Sequence, residues 1–174
     1  KCKHEQEEYK EAIRFFKKSI AIQQQIDPLN HSSLASTYTN IGNTYYKMNA
    51  SAKALKYYEN ALEINQQSLS PIHPSLASSY NNIGMVYNMM NNYSKALSFY
   101  EKALVIQQQS LPPNHPDLAM SYNNIGLIYE NMKDYTNAYS YCEKAVMIGE
   151  QSLSSNHQNL EIFRKNYDRV KNSC

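Results

Sequence analysis

A repeat of 42 residues constrains the fold of this chain more than any other feature of its sequence. Gly42, Gly84 and Gly126 lie 42 residues apart, and each ends the same segment, Tyr-x-Asn-Ile-Gly. A second block keeps this period through Ala12, Ala54, Ala96 and Ala138, and through Ser19, Ala61, Ala103 and Ala145. Self-similarity at a fixed period of about 20 to 50 residues is typical of arrays in which one structural unit stacks on the next.

Each unit predicts two helices joined by a short turn. Leu76, Ile83 and Tyr87 fall on one stripe of a helix with about 3.6 residues per turn, which we call the A helix. A turn follows at Asn91, and residues 95–109 then carry a second apolar stripe, which predicts a B helix. An A helix and the B helix after it form a helical hairpin.

Small residues and the lack of strand signals indicate the fold class. Gly84 on the A helix and Ala96 and Ala103 on the B helix allow the two backbones to approach closely. One hairpin cannot bury both of its apolar surfaces alone, so successive hairpins must stack. No alternating apolar run indicates a strand. The sequence therefore predicts an all-α fold, a right-handed superhelical solenoid of helix-turn-helix repeats.

The repeat also predicts boundaries within one array that covers residues 1–174. They are a lone B-type helix at about 5–26, full repeats at about 32–68, 74–110 and 116–152, and a C-terminal capping helix at about 158–171. The last segment places Arg164, Tyr167 and Asp168 where the repeat has Tyr, Ile and Gly, which is typical of a polar cap. The first B helix lacks an A helix before it, which suggests a piece of a longer array.

Charge and hydropathy exclude several classes of partner. The formal net charge of +2 comes from 17 basic and 15 acidic residues that are mixed along the chain, so nucleic-acid binding is not expected. No stretch of about 18 apolar residues and no signal peptide is present, which predicts a cytoplasmic protein without a membrane contact. Cys2, Cys142 and Cys174 are odd in number and lack metal-ligand spacing, which indicates a reducing compartment.

Four histidines recur with the repeat, in the linkers that precede the A helices. They are His31, His73, His115 and His157. Neighbouring linkers of a stacked array lie about 10 Å or more apart, so one metal ion cannot gather these side chains. We therefore interpret them as linker caps. No catalytic set of Ser, His and Asp, or of Cys and His, and no phosphate-binding glycine loop is present, so we predict no enzyme activity and no cofactor.

The repeat resembles the tetratricopeptide consensus of an aromatic, a large apolar residue, Gly, Tyr, Ala, an aromatic and Ala. The matching residues are Tyr80, Ile83, Gly84, Tyr87, Ala96, Tyr100 and Ala103. The 42-residue period, the segment Tyr-Asn-Asn-Ile-Gly and the linker at 110–119 are similar to kinesin light chain repeats, which bind cargo adaptors of a microtubule motor. The resemblance implies a scaffold for a protein or peptide partner, such as a kinesin-type motor or a cargo adaptor. However, the chain has no heptad coiled coil for a motor heavy chain, and its A helices carry few basic residues.

In tetratricopeptide arrays the A-helix stripe opposite the core lines a concave groove, so the resemblance implies a peptide-binding site there. The candidate contacts on this stripe are Asn40, Asn82, Asn124, Thr39, Asn81, Asn123, Asn43, Ser78, Met85, Lys47 and Met89. Asn40, Asn82 and Asn124 form a ladder, and each amide offers both a donor and an acceptor to a peptide backbone. Methionines add apolar contact that adapts to varied side chains.

Other interpretations of these residues stay open. The Asn side chains could bond neighbouring A helices to each other, and the methionines could pack between hairpins. The chain could also be a regulatory or sensor region of a larger multidomain enzyme, or a co-chaperone that clamps a C-terminal carboxylate, although the clamp positions lack Lys and Arg. A further possibility is self-association through an open N-terminal face at Ile13, Phe16 and Ile20.

Overall fold

The computed structural model describes residues 3–26 and 31–173, and within these ranges it contains eight α-helices and no strand. The helices are α1 Lys3–Ile26, α2 His31–Lys47, α3 Ser51–Ser68, α4 Pro74–Met89, α5 Tyr93–Ser110, α6 Pro116–Asn131, α7 Tyr135–Ser152 and α8 Gln158–Lys171. The predicted all-α solenoid is confirmed. Cys2 and Cys174 lie outside the described residues, and Cys142 is a buried free thiol.

The helices alternate between two layers. The A helices are α2, α4, α6 and α8, and the B helices are α1, α3, α5 and α7. The most extensive contacts join α2 to α3, α4 to α5 and α6 to α7, so these pairs form three hairpins. Each B helix then packs on the A helix that follows it. The core therefore runs along the array between the two layers.

Within a hairpin the A and B helices cross at a glycine. A Cβ atom added at Gly84 would lie 3.0 Å from the Tyr100 ring and 3.3 Å from the carbonyl oxygen of Ala96. Beside this crossing Tyr87 stacks on Phe99, with ring centroids 5.5 Å apart. A larger residue at Gly84 would force the helices apart, which explains why glycine recurs here.

The turn between A and B helices places one residue in the left-handed region of backbone space. Asn49, Asn91 and Lys133 occupy this position, with φ angles of 59°, 57° and 63°. Asparagine visits the left-handed region at lower cost than lysine, because its short polar side chain can bond locally. The left-handed conformation is therefore less costly at Asn49 and Asn91 than at Lys133.

Linker histidines begin the last three A helices. The Nδ1 atoms of His73, His115 and His157 each accept a hydrogen bond from the backbone N–H two residues later, at 3.1 to 3.2 Å. These bonds satisfy amide donors of the first helical turn, which would otherwise lack a partner. The interpretation of these three histidines as linker caps is confirmed.

Two joints between hairpins contain a buried polar pair. Asn65 Nδ2 donates to Ser79 Oγ at 3.0 Å, and 42 residues later Ser121 Oγ donates to Gln107 Oε1 at 2.6 Å. We call these the polar joints. Each links a B helix to the next A helix across 14 residues of sequence.

The joint between α7 and α8, which we call the closing joint, is apolar at this position, although Arg164 donates to Glu150 at 2.8 Å on its exposed edge. Gly149 stands where the polar joints have Asn65 and Gln107. A Cβ atom at Gly149 would meet Leu160 and Phe163 at 3.1 Å, and Phe163 is only 1% exposed. The Phe163 ring therefore fills the space that an amide and a hydroxyl fill elsewhere.

The residues exposed on the open face of α1 differ from those predicted. Ile13 is only 7% exposed, so its assignment to an uncovered face is wrong. A B helix has apolar residues on two sides, and Ile13 belongs to the side that faces the following hairpin. The equivalent residue three repeats later is Tyr139, and its ring contacts Tyr167 on the following helix α8. Among the described side chains of α1, the large apolar residues that are exposed are Phe15 and Ile22, at 60% and 54%.

Candidate functional site

The predicted site residues Asn40, Ser78 and Asn82 meet in a cleft between α2 and α4, which we call the first cleft. Its volume is about 340 Å³. The other lining residues are Ser32, Ala35, Ser36, Thr39, Asn65, Leu69, His73, Ser75 and Ser79. Hydroxyl and amide groups dominate this surface, and no Asp, Glu, Lys or Arg lines it.

A second cleft, of about 260 Å³, lies between α4 and α6. Ser78 and Asn82 line both clefts, so the two adjoin along α4. The remaining residues of the second cleft are Asn81, Gln107, Asp117, Met120 and Ser121. Gln107, Asp117 and Ser121 were not predicted as site residues, because Gln107 lies on a B helix and the other two lie off the predicted A-helix stripe.

Several predicted contacts already have partners inside the chain. Asn43 Oδ1 accepts a hydrogen bond from the Tyr58 hydroxyl at 2.6 Å, and burial raises the pKa of Tyr58 to about 12. Thr39 Oγ1 donates to the carbonyl oxygen of Ala35 at 3.0 Å. The Met89 sulfur accepts from Ser51 Oγ at 3.2 Å. These bonds orient the three side chains, and each one occupies a hydrogen-bonding atom that a partner could otherwise contact.

Asn123 has an internal role. It is only 3% exposed, and its Oδ1 accepts a hydrogen bond from Asn166 Nδ2 at 2.8 Å. Asn166 stands on α8 at the repeat position of Asn124, so here the Asn residues of neighbouring A helices do bond to each other. One repeat earlier, the Oδ1 atom of the equivalent Asn81 is buried and has no hydrogen-bond partner among the described residues.

Beside this bond, an ion pair joins α6 to α8. The Arg169 guanidinium donates to both carboxylate oxygens of Glu130, at 2.6 and 2.7 Å. These hydrogen bonds raise the pKa of Arg169. Together with Asn123 and Asn166, the pair closes the A-helix surface at its C-terminal end.

The remaining predicted contacts lie outside the two clefts. Asn124 and Met85 are half-buried, and Lys47 is exposed at the end of α2. The structure therefore brings together Asn40, Asn82 and their hydroxyl neighbours, but it does not gather the whole predicted stripe in one cavity. We call the surface formed by the two clefts the A face.

The A face offers hydrogen bonds rather than reactive groups. Amide side chains can both donate to and accept from the main chain of an extended peptide. Among the described residues, no three His, Cys, Asp or Glu side chains are grouped so that they could hold a metal ion. None of the helices in the described ranges is long and apolar enough to cross a membrane.

Models of known protein families match most of the chain. Profiles described as tetratricopeptide repeat match residues 1–67, 33–109 and 119–150. No curated protein sequence gives a significant match.

Solved structures of similar fold include BtubC (BKLC) from P. vanneervenii, which is 21% identical with a TM-score of 0.89 over 95% of this chain and 66% of that chain. A candidate kinesin light chain from P. anserina, with nearly identical TPR-like repeats, is 20% identical with a TM-score of 0.79 over 98% of this chain and 81% of that chain. The apo form of RapI is 21% identical with a TM-score of 0.82 over 96% of this chain and 44% of that chain. This chain thus spans less than two thirds of two of these proteins, and at such identities the likeness shows the fold alone.

Proposed function

Because the chain belongs to the tetratricopeptide repeat family, whose fold is typical of protein-interaction scaffolds, we propose that its A face binds an extended peptide segment of a partner protein. The observation that carries this proposal is the pair of adjoining polar clefts that share Ser78 and Asn82. Two clefts side by side along α4 suit a ligand that runs across the A helices.

Hydrogen bonding supports an extended main chain as the ligand. Asn40 and Asn82 line the clefts, and neither amide side chain is hydrogen-bonded to another described residue. Each can therefore offer a donor and an acceptor to a peptide group. Asn124, Met85, Lys47 and Met89 would extend the contact along α2, α4 and α6. We propose that Asn43 and Asn123 support the fold rather than contact the peptide, because their side-chain carbonyl oxygens already accept hydrogen bonds from the chain.

The finer partner class that we propose is a cargo adaptor or another component of a kinesin-type motor, in the cytoplasm and without catalysis. Similarity of the repeat to kinesin light chains supports this class. The nearly neutral clefts favour a ligand that is read through its main chain rather than through a run of acidic side chains. A carboxylate clamp is disfavoured, because Ser36, Ser78 and Thr39 occupy positions where a clamp requires cations.

Selection of random 12-residue peptides on the immobilised chain tests the proposal, followed by calorimetric titration of the enriched peptides. Asn40→Ala and Asn82→Ala should each weaken binding by about 0.5–1.5 kcal/mol, the usual contribution of a neutral hydrogen bond. Gln109→Ala is the matched control, because Gln109 is an exposed amide on the B helix α5.

Two results would contradict the proposal. Either no peptide is enriched, or both Asn variants fold normally and bind every enriched peptide as tightly as the parent. In the second case the Asn side chains are structural, and the ligand binds elsewhere.

A further inference from the structure

The N-terminal helix α1 exposes side chains that the other B helices bury. Its residues Ala12, Phe16 and Ser19 are half-buried, although their equivalents in α3, α5 and α7 are at most 4% exposed. Phe15 is 60% exposed, whereas the equivalent residues of α3, α5 and α7 are half-buried. In those three helices this side packs on the A helix of the same hairpin. We therefore call Ala12, Phe15, Phe16 and Ser19 the hairpin face of α1.

The three hairpins show what chemistry covers such a face. In the second hairpin the centroid of the Phe99 ring lies 6.1 Å from that of Tyr80 and 5.5 Å from that of Tyr87. The corresponding distances are 6.1 and 5.5 Å in the first hairpin and 6.0 and 5.4 Å in the third. Phe15 is the residue of α1 at the position of Phe99. The hairpin face of α1 therefore matches a helix that carries two tyrosines seven positions apart.

The Phe16 side chain adds a small residue to this pattern. Gly84 stands four residues after Tyr80, and a Cβ atom there would lie 3.0 Å from the ring of Tyr100. Because Phe16 occupies the position of Tyr100 on α1, a helix that packs there in the same way needs a small residue at the crossing. The matching pattern is thus Tyr-x3-Gly-x2-Tyr, which α2, α4 and α6 all contain.

A lysine of α1 supports the same occupant. In the second hairpin Lys102 lies 5.8 Å from the ring centroid of Tyr80 and 5.1 Å from that of Phe99. Lys144 lies at 5.7 and 5.3 Å from the equivalent rings of the third hairpin. Lys18 stands at this position of α1. A lysine over an aromatic face is attracted by it, so Lys18 favours an occupant whose first aromatic residue lies beside Phe15.

A second copy of this chain does not match the pattern. Its helices α2, α4 and α6 already pack on their own B helices, which leaves α8 as the A helix at the end of the array. At the positions of the two tyrosines and the glycine, α8 has Arg164, Lys171 and Asp168. Stacking α8 on α1 of another copy would press the Asp168 carboxylate against Phe16, which is unfavourable both sterically and electrostatically.

We propose that the hairpin face of α1 binds a partner helix with the pattern Tyr-x3-Gly-x2-Tyr. The two tyrosines of the partner contact the Phe15 ring, its glycine lies against Phe16, and Lys18 lies over its first tyrosine. The partner helix and α1 form one further hairpin at the N-terminal end of the array. This surface shares no residue with the A face, so the inference does not rest on the proposed function.

The direct probe is a peptide with the sequence of residues 74–92, which contains the pattern. It is titrated into the full chain with isotope-labelled phenylalanine rings and followed by nuclear magnetic resonance. We expect saturable shifts at the Phe15 and Phe16 rings. The matched control peptide carries Tyr80→Ala and Tyr87→Ala and should shift neither ring.

Two variants of the chain locate the contact. Phe15→Ala should weaken binding of the peptide about tenfold, as followed at Phe16, because the contacts to two tyrosine rings are lost. Ile162→Ala removes an exposed apolar side chain from α8 and should leave binding unchanged. Phe15 is exposed, so its substitution should leave the fold intact, which circular dichroism checks.

A graft tests the same contact without the cost of ordering a free peptide, since an isolated helix of this length is only marginally stable. Residues 74–92 replace residues 1–8, so that they join Tyr9 as they join Tyr93 in the second hairpin. The graft should raise the urea midpoint of unfolding and shift the Phe15 ring resonances, and the same graft with Gly84→Leu should do neither.

Two outcomes would overturn the proposal. One is that neither the peptide nor the graft shifts the Phe15 resonances. The other is that the parent chain sediments as a dimer which Phe15→Ala dissociates, because the occupant would then be a second copy.

Discussion

The middle of the array and its C-terminal end use the same repeat positions in different ways. Between α4 and α6 no described residue donates to the Asn81 carbonyl oxygen, and a cleft remains open. Between α6 and α8 the equivalent Asn123 is bonded to Asn166, and Arg169 pairs with Glu130. The same pair of residue types is thus unbonded beside the open cleft in the middle of the array and bonded at its C-terminal end.

The joints behind this surface also differ between the middle of the array and its C-terminal end. In the middle, Asn65 bonds Ser79 and Gln107 bonds Ser121, which fixes how one hairpin sits on the next. At the end, Phe163 fills the equivalent position without a hydrogen bond, and the bonds between α7 and α8 lie elsewhere, from Arg164 to Glu150 and between the Tyr139 and Tyr167 hydroxyls. A polar pair demands one geometry, whereas an apolar joint is stabilised by the area it buries. At this buried position the end is thus stabilised by burial and the middle by a directional bond.

The largest effect is expected where burial dominates. Phe163→Ala should lower the free energy of unfolding by about 3–5 kcal/mol, because a fully buried ring is replaced by a cavity. Urea titration followed by circular dichroism measures the change. A loss below that of a polar-joint variant would show that the closing joint does not depend on burial.

A smaller loss is expected in a polar joint. Ser121→Ala leaves Gln107 Oε1 buried without a donor and should cost about 1–3 kcal/mol of unfolding free energy. The double variant Gln107→Leu with Ser121→Ala removes both polar groups, so it should recover much of this loss in the same urea titration. If the double variant is no more stable than Ser121→Ala, the hydrogen bond is not what stabilises the joint.

The two equivalent asparagines should respond differently to the same substitution. Asn123→Ala breaks the bond to Asn166 and should cost about 0.5–1.5 kcal/mol, whereas Asn81→Ala removes an acceptor that has no donor and should cost less. Differential scanning calorimetry of both variants gives the comparison. Equal losses would mean that Asn81 also has a structural partner.

The smallest effect concerns the hairpin turns. Lys133→Asn gives the last turn the residue found at Asn91 and should raise the free energy of unfolding by up to about 1 kcal/mol, because asparagine tolerates the left-handed conformation better. The reciprocal Asn91→Lys should lower it by a similar amount. Thermal melts of both variants measure this, and changes of the same sign would contradict the assignment.

Much of the fold could be predicted from the sequence, because local residues specify it. The recurrence of Gly42, Gly84 and Gly126 indicates the helix crossings, and the repeated linker histidines indicate where A helices begin. The assignment of Ile13 to the open face failed, because a B helix has two apolar sides and the sequence pattern alone does not say which neighbour covers each. Sequence reasoning placed the candidate site on the A helices, and it could not show that the Asn123 carbonyl oxygen already accepts a hydrogen bond within the chain.

The sequence by itself determined the period, the helical hairpins and the all-α class, since helix periodicity and close approach at glycine act within one repeat. Only the tertiary structure decided which of two identical asparagines is free. Asn81 and Asn123 have the same local sequence position, but Asn123 finds its donor 43 residues away on α8. Asn124 stands on α6 at the repeat position of Asn166 but does not donate to Asn81, so the bond depends on how the neighbouring helices are placed and not on the residue type.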